Sequence, residues 1–466
     1  MARSVAPPIH RVVDALFLNL DGPAQVAAQS MSQSSRQKVL TWGPIDVQDG
    51  GGIVASKIRN MTLTIIEERS SRREIAHELF HPYHRYGDLE MLHVCRRTFL
   101  KFTGACIASP WVGVCSANEL PTSKETQFER VVKQAVIQYG IPGGVASVRI
   151  PGQPEWKQAF GYADVANKVP FNPDSFFPIR SVTKSFTVTL ILELVNKGEV
   201  TLDNSFLQTF VPGIPNGSSI TLAQLAGMRS GVADYSATQA FRDTFSKDVA
   251  QRFTEQQLVD YAIPASPVFP PGTQYQYSNT NTVLLGMVVE IVTGQPFSSV
   301  LQNGILGLLH MTQTAYPTKV DLPDPHPTPY DDNVADHSLT PLPFINPTAL
   351  AASGAMISTA DDLQTWALAL GQGRLIGSKL LERQIRRTSA VTNGPTYDRY
   401  GLGIGIIDKW RGHTGSGIGF QVAMFYDPDS ASTIVVAVNA SASGGDPNLN
   451  FAEQIFRQLA SIVSQH

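Results

Sequence analysis

An α/β (α+β) fold, with one antiparallel sheet made from both ends of the chain and a helical subdomain inserted between them, is predicted by three observations on this 466-residue sequence. A hairpin signal occurs near residue 145, and strand character returns after residue 400. Between them, apolar residues at helical spacing alternate with Pro- and Gly-rich loops across 213–340. An amphipathic helix, Phe128 to Tyr139, precedes the first strands, and a closing helix, Asn450 to Val463, follows the last.

Phe128 to Tyr139 places Val131, Val132, Ala135 and Val136 at helical spacing and is stopped by Gly140 and Pro142. Val145 to Ile150 and Trp156 to Tyr162 read as a hairpin with Pro and Gly in the turn. Ser181 to Asn196 reads as a helix with apolar Phe186, Leu190, Leu192 and Val195, closed by Lys197-Gly198. Thr282 to Val292 is a second apolar helix. Gly401 to Ile407, Gly419 to Tyr426 and Thr433 to Asn439 have strand character, and Asn450 to Val463 is the closing helix. No internal repeat is visible.

The first 117 residues read differently. Arg96-Arg97-Thr98-Phe99-Leu100-Lys101, an apolar run from Phe102 to Val114 and the small-residue end Cys115-Ser116-Ala117 form a twin-arginine export signal, with an apolar core too short to span a bilayer. Export machinery reads an amino terminus, so Met91 is expected to be the true start and residues 1–90 an over-long reading of the gene. The expected organisation is therefore an extension over 1–90, a signal over 91–117 and a catalytic domain over 125–460, in a periplasmic or secreted protein. His77-Glu78-Leu79-Phe80-His81 in the extension matches a zinc-binding helix pattern, but Pro82 follows at once and no third ligand is evident. No metal or cofactor is expected. Val112-Gly113-Val114-Cys115 fits a lipid-attachment box poorly.

The 349 residues after the signal suffice for one large domain or two closely packed subdomains. They hold 23 Lys and Arg against 29 Asp and Glu, a net of −6, which offers no footprint for nucleic acid or an anionic membrane. No run of 18 apolar residues exists to span a membrane. All three cysteines, Cys95, Cys106 and Cys115, fall inside the signal, so the mature chain needs no disulfides. Nothing in the sequence signals an oligomeric state.

Three short motifs carry chemistry. Ser181-Val182-Thr183-Lys184 opens a helix, so a hydroxyl and an amine three residues apart lie on one face. The helix dipole there favours an oxyanion and disfavours the ammonium form of the lysine. A second such match, Ser35-Arg36-Gln37-Lys38, lies in a Ser/Gln-rich stretch with no apolar helix behind it. Tyr277-Ser278-Asn279 follows Pro271-Gly272 and precedes the second apolar helix. Its phenol can relay a proton near a lysine, and its amide can grip a carbonyl and that lysine. His413-Thr414-Gly415-Ser416 sits where the chain re-enters the sheet. On an edge strand, its glycine would let substrate backbone lie close while the next N–H points at an oxyanion.

Taken together, in order and about 96 and 136 residues apart, these motifs resemble those of the penicillin-recognising serine hydrolases: Ser-x-x-Lys, Tyr-x-Asn and Lys/His-Thr-Gly. The resemblance covers roughly residues 125–460 and is closest to the class C β-lactamase and D-alanyl-D-alanine carboxypeptidase branch. Tyr277-Ser278-Asn279-Thr280-Asn281, Arg229-Ser230-Gly231 and Tyr400-Gly401-Leu402-Gly403 look like that branch too. The histidine of the third motif is similar to Streptomyces-type carboxypeptidases. The resemblance implies a β-lactamase/DD-peptidase-like fold and an acyl-enzyme on Ser181, with Lys184 and Tyr277 sharing base duty. It also implies an oxyanion held by the N–H groups of Ser181 and Ser416, with Asn279, His413, Thr414 and Gly415 binding substrate. One departure stands out. Carboxypeptidases carry a basic residue just after Tyr-Gly-Leu-Gly to hold the peptide carboxylate, whereas here Ile404-Gly405-Ile406-Ile407 follows. Lys409, Arg411 or Arg399 would have to supply that charge.

The expectation is an exported serine hydrolase acting on peptides that end in D-alanyl-D-alanine, with esters and β-lactams as neighbouring substrates of the same site. A wall-associated protein that binds penicillin or peptidoglycan without turnover, and a zinc peptidase centred on His77 and His81, are the alternatives from other classes.

Overall fold

Ser123 accepts a hydrogen bond from the Thr126 N–H and starts α1 (Lys124–Tyr139), which ends where Gly140 turns left-handed. The computed structural model describes residues 123–465 apart from positions 206, 337, 387, 392 and 393. The twin-arginine run, the His77/His81 pattern and Ser35-Arg36-Gln37-Lys38 lie outside them.

Behind α1 come β1 (Gly143–Arg149), β2 (Trp156–Asp164) and β3 (Val169–Pro170). The chain then leaves the sheet for the helical part, whose long members are α2 (Thr183–Asn196) and α3 (Asn279–Thr293). It returns through α4 (Ala360–Gln372) to the strands β4 (Ser389–Ala390), β5 (Arg399–Tyr400), β6 (Gly405–Ile407), β7 (Trp410–Gly417), β8 (Phe420–Tyr426) and β9 (Thr433–Val438). It closes with α5 (Phe451–Val463), capped by Asn450. The nine strands form one sheet in the order β3-β2-β1-β9-β8-β7-β6-β5-β4. β1 joins the two ends of the chain: Val145 lies opposite Ala159 on β2 and Ala437 on β9, antiparallel on both sides.

Alternation along the strands feeds two cores, because successive side chains leave a strand on opposite faces. Val145 and Ala437 join Phe186, Leu190, Val283 and Trp366 on the helical side, where Phe186 stacks on Trp366 at 4.0 Å. Ala146, Val148 and Val436 face α1 and α5 with Phe128, Phe451 and Phe456, and Phe425 stacks on Phe456 at 4.2 Å. Each fully buried side chain of this size contributes about 1.5–3 kcal/mol. The helical segment that the sequence places in the middle is therefore inserted between strands of one sheet.

Three boundaries differ from expectation, each for a local reason. The Gly401–Ile407 run is broken between β5 and β6, where Gly403 takes φ +65 and donates its N–H to Ala226 O at 2.9 Å. A Cβ on Gly403 would come within 2.5 Å of Val188, so helix α2 presses directly on this turn. The helix behind Ser181 begins as a 3-10 turn over Arg180–Val182, and α3 begins at Asn279 rather than Thr282. His413 does not lie on an edge strand, since β7 is interior, between β6 and β8. However, β6 pairs only with residues 410–412 of β7, which leaves 413–417 without a strand partner on that side. Among the described residues no single helix is long and apolar enough to cross a membrane.

Candidate active site

The 3-10 turn Arg180–Val182 packs against that unpaired half of β7. Gly415 permits the approach: a Cβ there would lie 2.3 Å from the Ile179 carbonyl oxygen and 3.0 Å from Arg180 Cβ. The turn is wound by Arg180 at φ +50, an uncommon conformation for a residue with a side chain, and it presents Ser181 to the cleft. One helical turn on, Lys184 is wholly buried, and its Nζ donates to Ser181 Oγ at 3.1 Å. The same ammonium reaches Asn279 Oδ1 at 2.7 Å and the Ser353 carbonyl at 2.8 Å. Burial drives the Lys184 pKa down to about 7 against the pull of Asp234.

Asn279 is held from behind. Asp234 Oδ2 accepts its backbone N–H at 2.9 Å and its side-chain N–H at 3.1 Å, and Ser236 Oγ also accepts from that side chain. The other Asp234 oxygen takes the N–H and O–H of Ser236, at 2.9 and 2.7 Å. Burial raises the Asp234 carboxyl, and these hydrogen bonds with the Lys184 charge oppose it. A carboxylate, an amide and an amine thus stand in line behind the Ser181 hydroxyl.

Tyr277 presents its ring to the amine, with Lys184 Nζ 5.0 Å from the ring centre. Burial, followed by nearby Tyr397, raises the Tyr277 phenol well above its usual range, only partly offset by the Ser181 hydroxyl. Its oxygen is buried and forms no hydrogen bond of full geometry, Ser181 included, so the interaction between the two hydroxyls is weak at rest.

The third motif divides. Ser416 lines the cleft with Ser181, Tyr277 and Asn279, around a free space of about 50 Å³. Gly415 supports the nucleophile turn. His413, expected to touch substrate, is wholly buried behind the cleft and is not among its lining residues. Its Nε2 meets Tyr400 Oη at 3.0 Å and its Nδ1 meets Tyr397 Oη at 3.1 Å. Burial, with the Lys184 charge, lowers its pKa to about 3, so the imidazole is neutral. Thr414 is buried beside it, its hydroxyl 2.7 Å from Tyr397 Oη.

None of the three cations considered for a substrate carboxylate reaches the cleft. Lys409 is bound by Asp427 and Asp429 at 3.1 Å each, and neither Arg399 nor Arg411 is among the lining residues. The guanidinium that does line it belongs to Arg180. Arg180, Asp234, Ser236 and Ser353 escaped the sequence reading. Arg180 adjoins a recognised motif and Asp234 follows Arg229-Ser230-Gly231 closely, whereas Ser353 acts through its backbone and leaves no residue-type signal. Among the described residues no group of three or more His, Cys, Asp or Glu side chains is placed to hold a metal ion.

A family model described as Beta-lactamase matches residues 128–456. Protein flp of Staphylococcus aureus is 30% identical over 204 residues, 42% of this chain and 39% of that protein. A D-aminopeptidase of Cereibacter sphaeroides is 26% identical over 304 residues, 65% of this chain and 57% of that one. The chain spans less than two thirds of the length of either relative. Among solved structures, a D-stereospecific amidohydrolase from Streptomyces sp. superposes with a TM-score of 0.62 at 29% identity, covering 72% of this chain and 97% of the other.

Proposed function

The chain belongs to the beta-lactamase family, and we propose that it is a serine hydrolase that cleaves amides or esters of D-amino acids through an acyl-enzyme on Ser181. The observation that carries this reading is the buried Lys184 amine, with a pKa near neutrality, 3.1 Å from the Ser181 hydroxyl. A neutral amine at that distance can take the hydroxyl proton as Ser181 Oγ attacks the carbonyl carbon. Lys184 is then the resting base, because the raised pKa of Tyr277 keeps it a phenol. The N–H groups of Ser181 and Ser416 hold the oxyanion. As the carbon–nitrogen or carbon–oxygen bond breaks, Tyr277 gives its proton to the leaving group and recovers one from the Lys184 ammonium. Water then attacks the acyl ester by the same route in reverse.

Two relatives with D-stereospecific names support the substrate class. Lys409, Arg399 and Arg411 do not line the cleft, and the guanidinium that does, Arg180, gives two of its donors to backbone carbonyls, which favours amides and esters over peptides ending in a free D-alanine. The test compares kcat/KM for a D-alanyl-D-alanine peptide, its C-terminal amide, a matched ester and the L-amide. The D-amide and ester should be cleaved at least as well as the free acid, and Ser181→Ala should lose essentially all turnover. Losing such a nucleophile can cost on the order of a millionfold. A strong preference for the free acid would restore the carboxypeptidase reading, and hydrolysis surviving in Ser181→Ala would end the acyl-enzyme reading. Residues 91–117 are proposed to direct twin-arginine export. Replacing Arg96-Arg97 by Lys-Lys should hold the protein in the cytoplasm, because the receptor reads the guanidinium pair. Unimpaired export of that variant would refute it.

A further inference from the structure

We propose that Arg180 is a positioning residue that fastens the nucleophile turn to the β7–β8 turn and thereby sets the spacing of the two oxyanion N–H groups. The inference rests on the acyl-enzyme reading above. Ser181 directly follows Arg180, and Ser416 directly precedes Gly417, so the two N–H groups sit at the edges of two separate turns. Both turns are wound against ordinary preference. Arg180 has φ +50, and on the other side Gly417, Ile418 and Gly419 have φ values of 133, 42 and 76. A β-branched residue such as Ile418 rarely adopts that region, and such conformations persist only where the surroundings impose them.

The Arg180 guanidinium supplies the imposition. Its Nε donates to Gly417 O and its Nη2 to Ile418 O, both at 3.0 Å, and its Cζ lies over the Phe420 ring, 5.5 Å from the ring centre. The side chain is only 6% exposed. No carboxylate among the described residues forms an ion pair with it, so its donors are spent on the turn rather than on a counter-ion. Burial lowers its pKa only to about 9, which leaves it charged at neutral pH. A planar fork holding two successive carbonyls fixes both distance and direction. A lysine ammonium could keep the charge but not the fork.

The test uses hydrolysis of p-nitrophenyl acetate by the full chain. Arg180→Ala and Arg180→Lys should each lower kcat by roughly 10²-fold, the loss typical of one misplaced oxyanion donor, with KM changed less than about twofold. Free guanidinium ion should restore part of the rate in Arg180→Ala, while ammonium ion should not. Circular dichroism would confirm that both variants are folded. A wild-type kcat in Arg180→Lys would overturn the proposal, since charge alone would then suffice. So would failure of guanidinium to rescue a folded Arg180→Ala, or loss of folded protein in both variants, which would make the residue a part of the fold and not of the turn geometry. Ser181→Ala, run with the same ester and with fluorophosphonate labelling, reports separately on the acyl-enzyme reading.

Discussion

Replacing Asp234 by asparagine removes the carboxylate behind Asn279 and should shift the pH at which Ser181 becomes reactive. Lys184 Nζ lies 2.7 Å from Asn279 Oδ1, and Asn279 Nδ2 lies 3.1 Å from Asp234 Oδ2. With the width of the amide between, the charges are ~7 Å apart; at an effective dielectric of ~20 they attract by ~2.4 kcal/mol, or about one to two pKa units of Lys184. The sign is fixed: a nearby anion favours the ammonium, so its loss lowers the Lys184 pKa from about 7 and exposes the neutral base at lower pH. The assay is the second-order rate of fluorophosphonate labelling at Ser181 from pH 4 to 9. The wild-type rate should rise through a midpoint near 7, and the variant's midpoint should fall by about one to two units. The plateau should fall as well, because an asparagine amide cannot accept all four hydrogen bonds that the Asp234 carboxylate now takes. A midpoint that stays in place or moves upward would refute the coupling and, with it, Lys184 as the titrating base.

His413 has a folded pKa of about 3 against about 6.5 unfolded, so the unfolded chain takes up a proton that the folded one refuses. Stability is fully present above the unfolded value and is lost at ~1.4 kcal/mol per pH unit below it; urea unfolding of His413→Gln between pH 7 and 5 should show a shallower loss, and an unchanged slope would contradict the buried neutral imidazole. Gly415→Ala would place a Cβ 2.3 Å from the Ile179 carbonyl oxygen, forcing β7 and the nucleophile turn apart. A shift of ~1 Å in a reacting group can cost roughly 10²-fold, so kcat/KM for an ester should fall by about that much, and a variant within threefold of wild type would show that the contact is slack.

Much of this protein is written in short-range pattern. Ser181 and Lys184 are neighbours because residues three apart share a helix face, which the residues alone predict. The ends of α1 and α3 fall at Gly140 and Gly294, where a left-handed residue without a Cβ stops a helix. The strand character of the terminal segments is legible in their near-continuous apolar runs, and the burial of Val145 and Ala146 in opposite cores follows from the pleat of β1.

What the sequence could not determine is set by groups brought together from far apart in the chain. Asp234 acts on Lys184 through Asn279, Ser353 contributes only a carbonyl, and Arg180 serves carbonyls more than two hundred residues away. Backbone acceptors carry no residue identity, so no pattern could announce them. His413 shows the converse. Its motif points to the cleft, yet its ring is buried between the hydroxyls of Tyr397 and Tyr400 and is not among the residues that line the cleft. Its neutrality is a consequence of burial. Residue type and spacing determined which groups could do chemistry here; the tertiary fold decided which of them face the cleft and in what protonation state, because burial and distant partners, not sequence neighbours, set both.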